Sequence, residues 1–217
     1  AAGHGVSVHA DVDPDDPARA FRLVTKAVPE YEVPQTVAPS AKEIPALADL
    51  VLDMKELSDI DTGKLVASLQ PLVTAYEGWI GQQHKCISDP TARLQGFEAI
   101  ADMALEGCQH AAERIQQGIA LVEDDVTAQA AFCFANQAMW LQRIHTLAAQ
   151  DRLRDPNLTL EEAAAARDIP ENRSWRPFQL AFMLLNLPSL ANPTHSERGL
   201  SSDGGLVDLL WFPTGGG

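Results

Sequence analysis

Residues 64–87 read KLVASLQPLVTAYEGWIGQQHKCI, and the spacing of their apolar side chains decides the fold class. Leu65, Leu69, Leu72, Val73, Tyr76, Trp79 and Ile80 fall on one stripe of a helix. Asp61 stands where a carboxylate can cap that helix. Pro71 is expected to kink or divide it, because proline has no N–H and its ring crowds the preceding turn. Asp89-Pro90 then gives a cap followed by proline at a first helical position. The helix it introduces is expected to run to about Val122, with Leu94, Phe97, Ile100, Ala101, Leu105, Cys108, Ala112, Ile115 and Ile119 inward. A further helix is expected from Asp125 to about Ala149, carrying Phe132, Phe134, Ala135, Met139, Leu141, Ile144 and Leu147. Short connections between such helices make an antiparallel bundle over residues 41–155.

Outward from the bundle the pattern changes on both sides. In residues 1–40, GVSVHADV and FRLVTKAV alternate apolar and polar side chains around a turn-rich DVDPDDPA, the mark of a β-hairpin. PEYEVPQTVAPS, with Pro29, Pro34 and Pro39, follows as an extended linker. A lone hairpin is marginal in water, so this piece reads as part of a β-rich domain lying upstream of Ala1. Beyond Asp155-Pro156, LTLEEAAAARD has Thr159 and Glu162 spaced as a capping box. Another helix is expected from Trp175-Arg176-Pro177 to Pro188, then a polar, glycine-bearing loop over 189–205. LVDLLW, Leu206 to Trp211, is short and apolar except for Asp208, as in a buried parallel strand. The fold class is therefore mainly α: a helical bundle, an N-terminal hairpin with extended segment, and a C-terminal strand entering a phosphate loop. Residues 156–217 read as the start of a RecA-like α/β lobe.

Composition narrows the function. The 217 residues carry a formal net charge of −14, which is unsuited to being the main surface that tracks phosphates. Between Arg143 and Arg176 the balance is more even, six arginines against six acids. No run of 18 apolar residues suggests a membrane span. AAGHGVSVHADVD lacks the basic and apolar regions of a secretory signal. Cys86, Cys108 and Cys133 are odd in number with no CxxC pair, and read as reduced, mostly buried thiols of a cytoplasmic protein.

The chemistry lies at two places. After the expected strand come Phe212, Pro213, Thr214, Gly215, Gly216 and Gly217. A strand followed by Thr-Gly-x-Gly is how a phosphate-binding loop begins: glycines let backbone N–H groups converge on phosphate oxygens, and a following helix adds its dipole. The Lys and Ser/Thr that complete the signature would be residues 218 and 219. Upstream stand Arg176, Pro177, Phe178 and Gln179. A glutamine amide offers one donor and one acceptor side by side, matching N7 and N6 of adenine. Either motif alone is weak, a glycine tail or an ordinary helix start; their order and spacing favour an ATP site.

These two motifs resemble those of superfamily 2 helicases. With the flanking phrases AFCFANQAMWLQR, GHG and YEVP, the chain resembles the large helicase of the DISARM phage-defence system over most of its length. The resemblance implies that Gln179 selects adenine, that Arg176 supports it with Phe178 packed nearby, and that Pro213 and Thr214 to Gly217 begin the phosphate cradle. ATP with Mg2+ would be the ligand, and DNA would be held mostly by regions outside these residues. Other subunits of a defence complex would be partners, with no membrane. The catalytic acids would lie beyond Gly217, so these residues alone are expected to be inactive. Phe212 departs from the family, which has Ala or Gly there. Two other readings stand beside this one: an α-helical interaction or scaffold module, and a phosphate-loop ATPase that is no helicase.

The remaining constellations read as structural. His84, Cys86, Cys108 and His110 are expected to be core or boundary residues rather than a metal site. His145 reads as a helix-face residue, His195 as a loop residue, and His4 as one facing a neighbouring domain. Asp49, Asp53 and Glu56 read as a solvated face, and Glu123-Asp124-Asp125 as a helix end followed by a cap. Phe132, Phe134 and Trp140 read as bundle core, an exposed member being able to stack on a base.

Overall fold

The computed structural model describes residues 7–27, 37–199 and 204–209. It is mainly helical, with one small two-stranded antiparallel sheet. The chain divides into two compact units, and the described parts of each are taken separately.

The first contains the hairpin. Strand β1 (Ser7–Val12) pairs with β2 (Ala20–Ala27), with Ala10 opposite Leu23 and Asp11 opposite Arg22. Asp13 and Asp16 organise the turn: Asp13 Oδ1 accepts the Asp15 N–H at 3.0 Å and Asp16 Oδ1 that of Ala18 at 3.2 Å. The expected hairpin is present. The start of GVSVHADV before Ser7, the Val28 that ends FRLVTKAV, His4 and most of the proline-bearing linker lie outside the described residues.

The second unit, Ala38–Asp208, holds the helices: α1 (Met54–Ser58), α2 (Thr62–Ile87), α3 (Glu98–Asp124), α4 (Val126–Arg154), α5 (Leu160–Arg167) and α6 (Pro177–Ala191). Helix α3 packs against α2, α4 and α6, while α4 also carries α1 and α5. Leu57, Leu65, Leu69 and Val73 meet Ile115, Ile119, Val122, Phe132, Leu180 and Leu184 in one core. Each such side chain is worth about 2 kcal/mol on burial, so this shared core is what seats α6.

Short polar side chains set the helix ends. Asp61 accepts the Gly63 N–H, and Asp125 accepts those of Thr127 and Ala128 at 2.7 and 3.0 Å. Asp125 is the single extended residue between α3 and α4, ending one helix and capping the next. Thr159 and Glu162 form the capping box, the Thr159 N–H meeting Glu162 Oε2 at 3.0 Å and the Glu162 N–H meeting Thr159 Oγ1 at 3.2 Å.

Several sequence expectations need correction, among them the inward placing of Met139 and Leu141, which are exposed. Of the two outcomes expected at Pro71, a kink or a division, the division does not occur: α2 runs on from Thr62 to Ile87. Proline removes one helix hydrogen bond, the N–H that would serve the Ala67 carbonyl, while the burial of Leu65, Leu69, Leu72 and Val73 on the same helix favours its continuing. Asp89-Pro90 starts only a 3-10 turn, Pro90–Ala92, and α3 begins at Glu98. Arg93 at φ 57° and Gly96 at φ 84° break the helix between them, which leaves Phe97 and Ile100 exposed. Phe134 is 70% exposed, because two residues along a helix from the buried Phe132 is more than half a turn away. Cys86 is exposed, while Cys108 and Cys133 are half-buried.

The largest difference is at the C-terminal end. Gly204–Leu209 form no strand, and Leu206, Val207 and Leu209 are exposed. A buried parallel strand needs ladder partners and cover on both faces, and the described sheet consists of β1 and β2 alone, so Gly204–Leu209 have no ladder within it. Residues 210–217 lie outside the described residues.

Candidate functional site

The segment leading into Arg176 is fixed from two directions. An isolated antiparallel bridge joins Asp53 to Ser174; Met54 N–H donates to the Arg173 carbonyl at 2.9 Å, and Trp175 N–H donates to that of Leu52 at 2.8 Å. Behind it, the buried Trp175 donates its indole N–H to Asn136 Oδ1 at 2.7 Å. Asn136 is itself fully buried and donates to the Phe132 carbonyl at 2.9 Å. Every polar atom named here has its partner, which is the condition under which a buried polar contact fixes geometry instead of costing stability.

Beneath the bridge lies an ion-pair network. Arg173 binds Asp53 at 2.9 Å and Asp168 at 2.6 Å; Lys55 binds the other oxygen of Asp168 at 2.8 Å and lies 4.7 Å from the Trp140 ring centroid. Trp140 donates its indole N–H to Asp168 Oδ1 at 2.8 Å. Asp53 is therefore no solvated-face residue: it caps α1 and anchors Arg173. Trp140 is occupied in this network and is not an open stacking platform. Partial burial opposes the charge on Asp168, but hydrogen bonds from Lys55, Arg173 and Trp140 outweigh it and hold the carboxyl at about 2.

The sign of the consequence follows. A carboxyl depressed in the fold stabilises above its unfolded value, near 4, and loses that contribution as pH falls through about 2. Asp168→Asn should lower the unfolding free energy by ~2 kcal/mol at neutral pH. Urea unfolding of both proteins from pH 7 to pH 2 checks this, the gap narrowing only below about pH 4. A gap that stays constant down to pH 2 would contradict the role given to this carboxylate.

On this platform α6 begins. Pro177 occupies its first turn, where a missing N–H costs nothing. Gln179 Oε1 accepts the Arg176 N–H at 3.1 Å, and Gln179 N–H donates to the Arg176 carbonyl at 2.9 Å. The first contact orients the amide: oxygen toward the helix start, Nε2 away from that contact. Arg176 is exposed, and Pro177, Phe178 and Gln179 are half-buried. The structure thus places three of the site residues named from sequence, Arg176, Phe178 and Gln179. Pro213, Thr214, Gly215, Gly216 and Gly217 lie outside the described residues.

A second cluster went unnoticed in the sequence. Arg114, 5% exposed in α3, holds Asp208 with two hydrogen bonds of 2.7 and 2.8 Å. Its Nε is 2.9 Å from Glu197 Oε1, an ion-pair distance without hydrogen-bond alignment. The Arg114 hydrogen bonds hold the Asp208 carboxyl below its ordinary range, against partial burial. The one available signal was Asp208 itself, a lone acid inside an apolar run. His84 faces Asp102 and His110 faces Glu197, and among the described residues no three His, Cys, Asp or Glu side chains are arranged to hold a metal.

Over 203 residues, 91% of this chain, the sequence is 34% identical to the DISARM protein DrmA of Bacillus paralicheniformis. The chain is similar to a DISARM protein. The aligned stretch spans 16% of DrmA's length. No family model matches the chain. Among the described residues, no helix is long and apolar enough to cross a membrane.

Proposed function

We propose that the chain is part of an ATP-dependent DNA helicase or translocase acting in bacterial antiphage defence, alongside other subunits of a defence complex. In this reading it supplies the adenine-reading motif, Arg176, Phe178 and Gln179, and the first half of the phosphate loop, Pro213 to Gly217. Mg2+ and the catalytic acids belong to the rest of the motor, and DNA is gripped mainly there, as the net charge of −14 requires.

The observation that carries the reading is the oriented amide of Gln179. An amide oxygen has two lone pairs, and capping Arg176 uses one. The other suits the N6 amino group of adenine, and Nε2 suits N7, so one side chain can cap α6 and read the base together. The likeness to DrmA supports the defence context. ATP, when bound, supplies the phosphoryl-transfer energy; this chain's part is to orient the base and, at Thr214 to Gly217, to offer backbone N–H groups to phosphate.

In the intact protein, Gln179→Ala should reduce the preference for ATP over GTP by about tenfold or more, the value of losing a bidentate base contact. Competition of the two nucleotides for the enzyme, measured on wild type and variant, reads this directly. Unchanged nucleotide preference and KM would remove the adenine assignment, and the helical unit would then stand as a scaffold.

A further inference from the structure

Among the described residues, Arg114 and Asn136 are the two buried polar side chains. Asn136 lies within α4, one turn beyond Phe132. Asparagine is a poor choice there on two counts. Its amide competes with the helix backbone, and burying it is costly unless both ends are hydrogen-bonded. Both ends are: Nδ2 donates to the Phe132 carbonyl, and Oδ1 accepts the Trp175 indole N–H at 2.7 Å. The second bond spans 39 positions of sequence and ends on the residue that precedes Arg176. An apolar side chain would fill the same space without a directional demand, so the asparagine specifies how the indole sits.

Trp175 is thereby held at two points. Its backbone N–H donates to the Leu52 carbonyl at 2.8 Å, and its indole is fixed on Asn136. The peptide unit joining Trp175 to Arg176 is planar, so the Arg176 N–H turns with the Trp175 carbonyl. That N–H is the one Gln179 Oε1 accepts at 3.1 Å. Asn136, Trp175, Arg176 and Gln179 thus form one chain of contacts, covalent in the middle and hydrogen-bonded at both ends. We propose that Asn136 is a positioning residue for the adenine-reading motif, fixing through Trp175 the direction in which the Gln179 amide faces. Resting on the nucleotide reading above, this makes base selection depend on a side chain in α4, outside the motif. With the indole released, the amide samples more directions and must be ordered at each binding event, and adenine loses its advantage over guanine.

The test uses the intact protein, with ATP and GTP as competing substrates. Asn136→Leu removes the acceptor while filling a similar volume, and Trp175→Phe removes the indole N–H while keeping an aromatic ring. Each should raise KM for ATP by about fivefold, the lower end of the usual coupling between sites, and leave KM for GTP nearly unchanged. At saturating ATP kcat should change little, because Asn136 and Trp175 act on the base and not on the phosphates. The double variant should shift the ratio of the two KM values no further than the worse single one, since both remove one hydrogen bond. A purely structural role would instead lower the melting temperature and reduce kcat for both nucleotides in step with the folded fraction, leaving that ratio unmoved.

An unchanged ratio in the folded variants, or shifts that add in the double variant, overturns the proposal. Should Asn136→Leu fail to fold, Trp175→Phe carries the test alone, since it keeps an aromatic side chain in the core. The two readings fail differently. Unchanged nucleotide preference in Gln179→Ala removes the adenine assignment and this proposal with it. A loss of ATP preference in Gln179→Ala beside an unchanged ratio in Asn136→Leu and Trp175→Phe removes only the positioning.

Discussion

Gly118→Ala is expected to lower the melting temperature of the helical unit by on the order of 10 °C, a loss of ~3 kcal/mol. A Cβ at this position would lie 2.0 Å from the Leu184 carbonyl oxygen and 2.7 Å from its carbon. Both are backbone atoms, so no side chain can turn aside; α3 and α6 must separate. Glycine in a helix interior costs about 1 kcal/mol relative to alanine, and here it is kept because α6 crosses at this spot. Gly107 supplies the contrast. It stands in the same helix, is exposed and meets nothing within 4 Å, so Gly107→Ala should stabilise by up to about 1 kcal/mol. Thermal unfolding followed by helical circular dichroism compares the two. An unchanged midpoint for Gly118→Ala would mean that α6 does not lie against α3 as described.

Phe132→Ala should cost ~4 kcal/mol, the range for emptying a buried aromatic site whose surroundings relax only partly. Phe132 is 1% exposed and belongs to the core that also holds Trp175, Leu180 and Leu184. Its carbonyl also anchors Asn136, which holds the Trp175 indole. A cavity there therefore disturbs the platform of α6 as well as the core. Phe134→Ala removes the same atoms two residues away from an exposed position and should stay within about 0.5 kcal/mol of wild type. Urea unfolding of both variants decides between a general intolerance of α4 to truncation and a specific need for Phe132. Equal losses in the two would exclude the second.

Much of this fold was legible because its rules are local. Asp61, Asp125 and Thr159 could be named as caps since each acts on N–H groups within three residues of itself. The stripe from Leu65 to Ile80 is a property of helix period, and Leu65, Leu69, Leu72, Val73 and Ile80 are buried as it requires, while Trp79 is 39% exposed. Local rules failed where neighbours intervened. Pro71 is tolerated within α2, whose stripe Leu65, Leu69, Leu72, Val73 and Ile80 stays buried on both sides of it. Phe134 is apolar but falls on a side of α4 that no described element covers enough to bury.

The candidate site divides the same way. Arg176 to Gln179 could be found as a motif, since its residues adjoin and its glutamine bonds within its own turn. The network beneath it could not, because Asp53 and Arg173 are 120 residues apart in sequence and become a pair only when the bridge at Ser174 forms. The strand expected from Leu206 shows the limit from the other side: apolar residues announce that a segment wants cover but cannot say which partner provides it. By itself, then, the sequence determined the long helices, their caps and the hairpin, set by short-range sterics and hydrogen bonding, and offered Arg176 to Gln179 as a candidate motif. Tertiary structure alone decided that Asp208, the one acid in an apolar run, is held by Arg114, because that contact joins residues 94 apart and exists only once α3 has buried a guanidinium in need of a carboxylate.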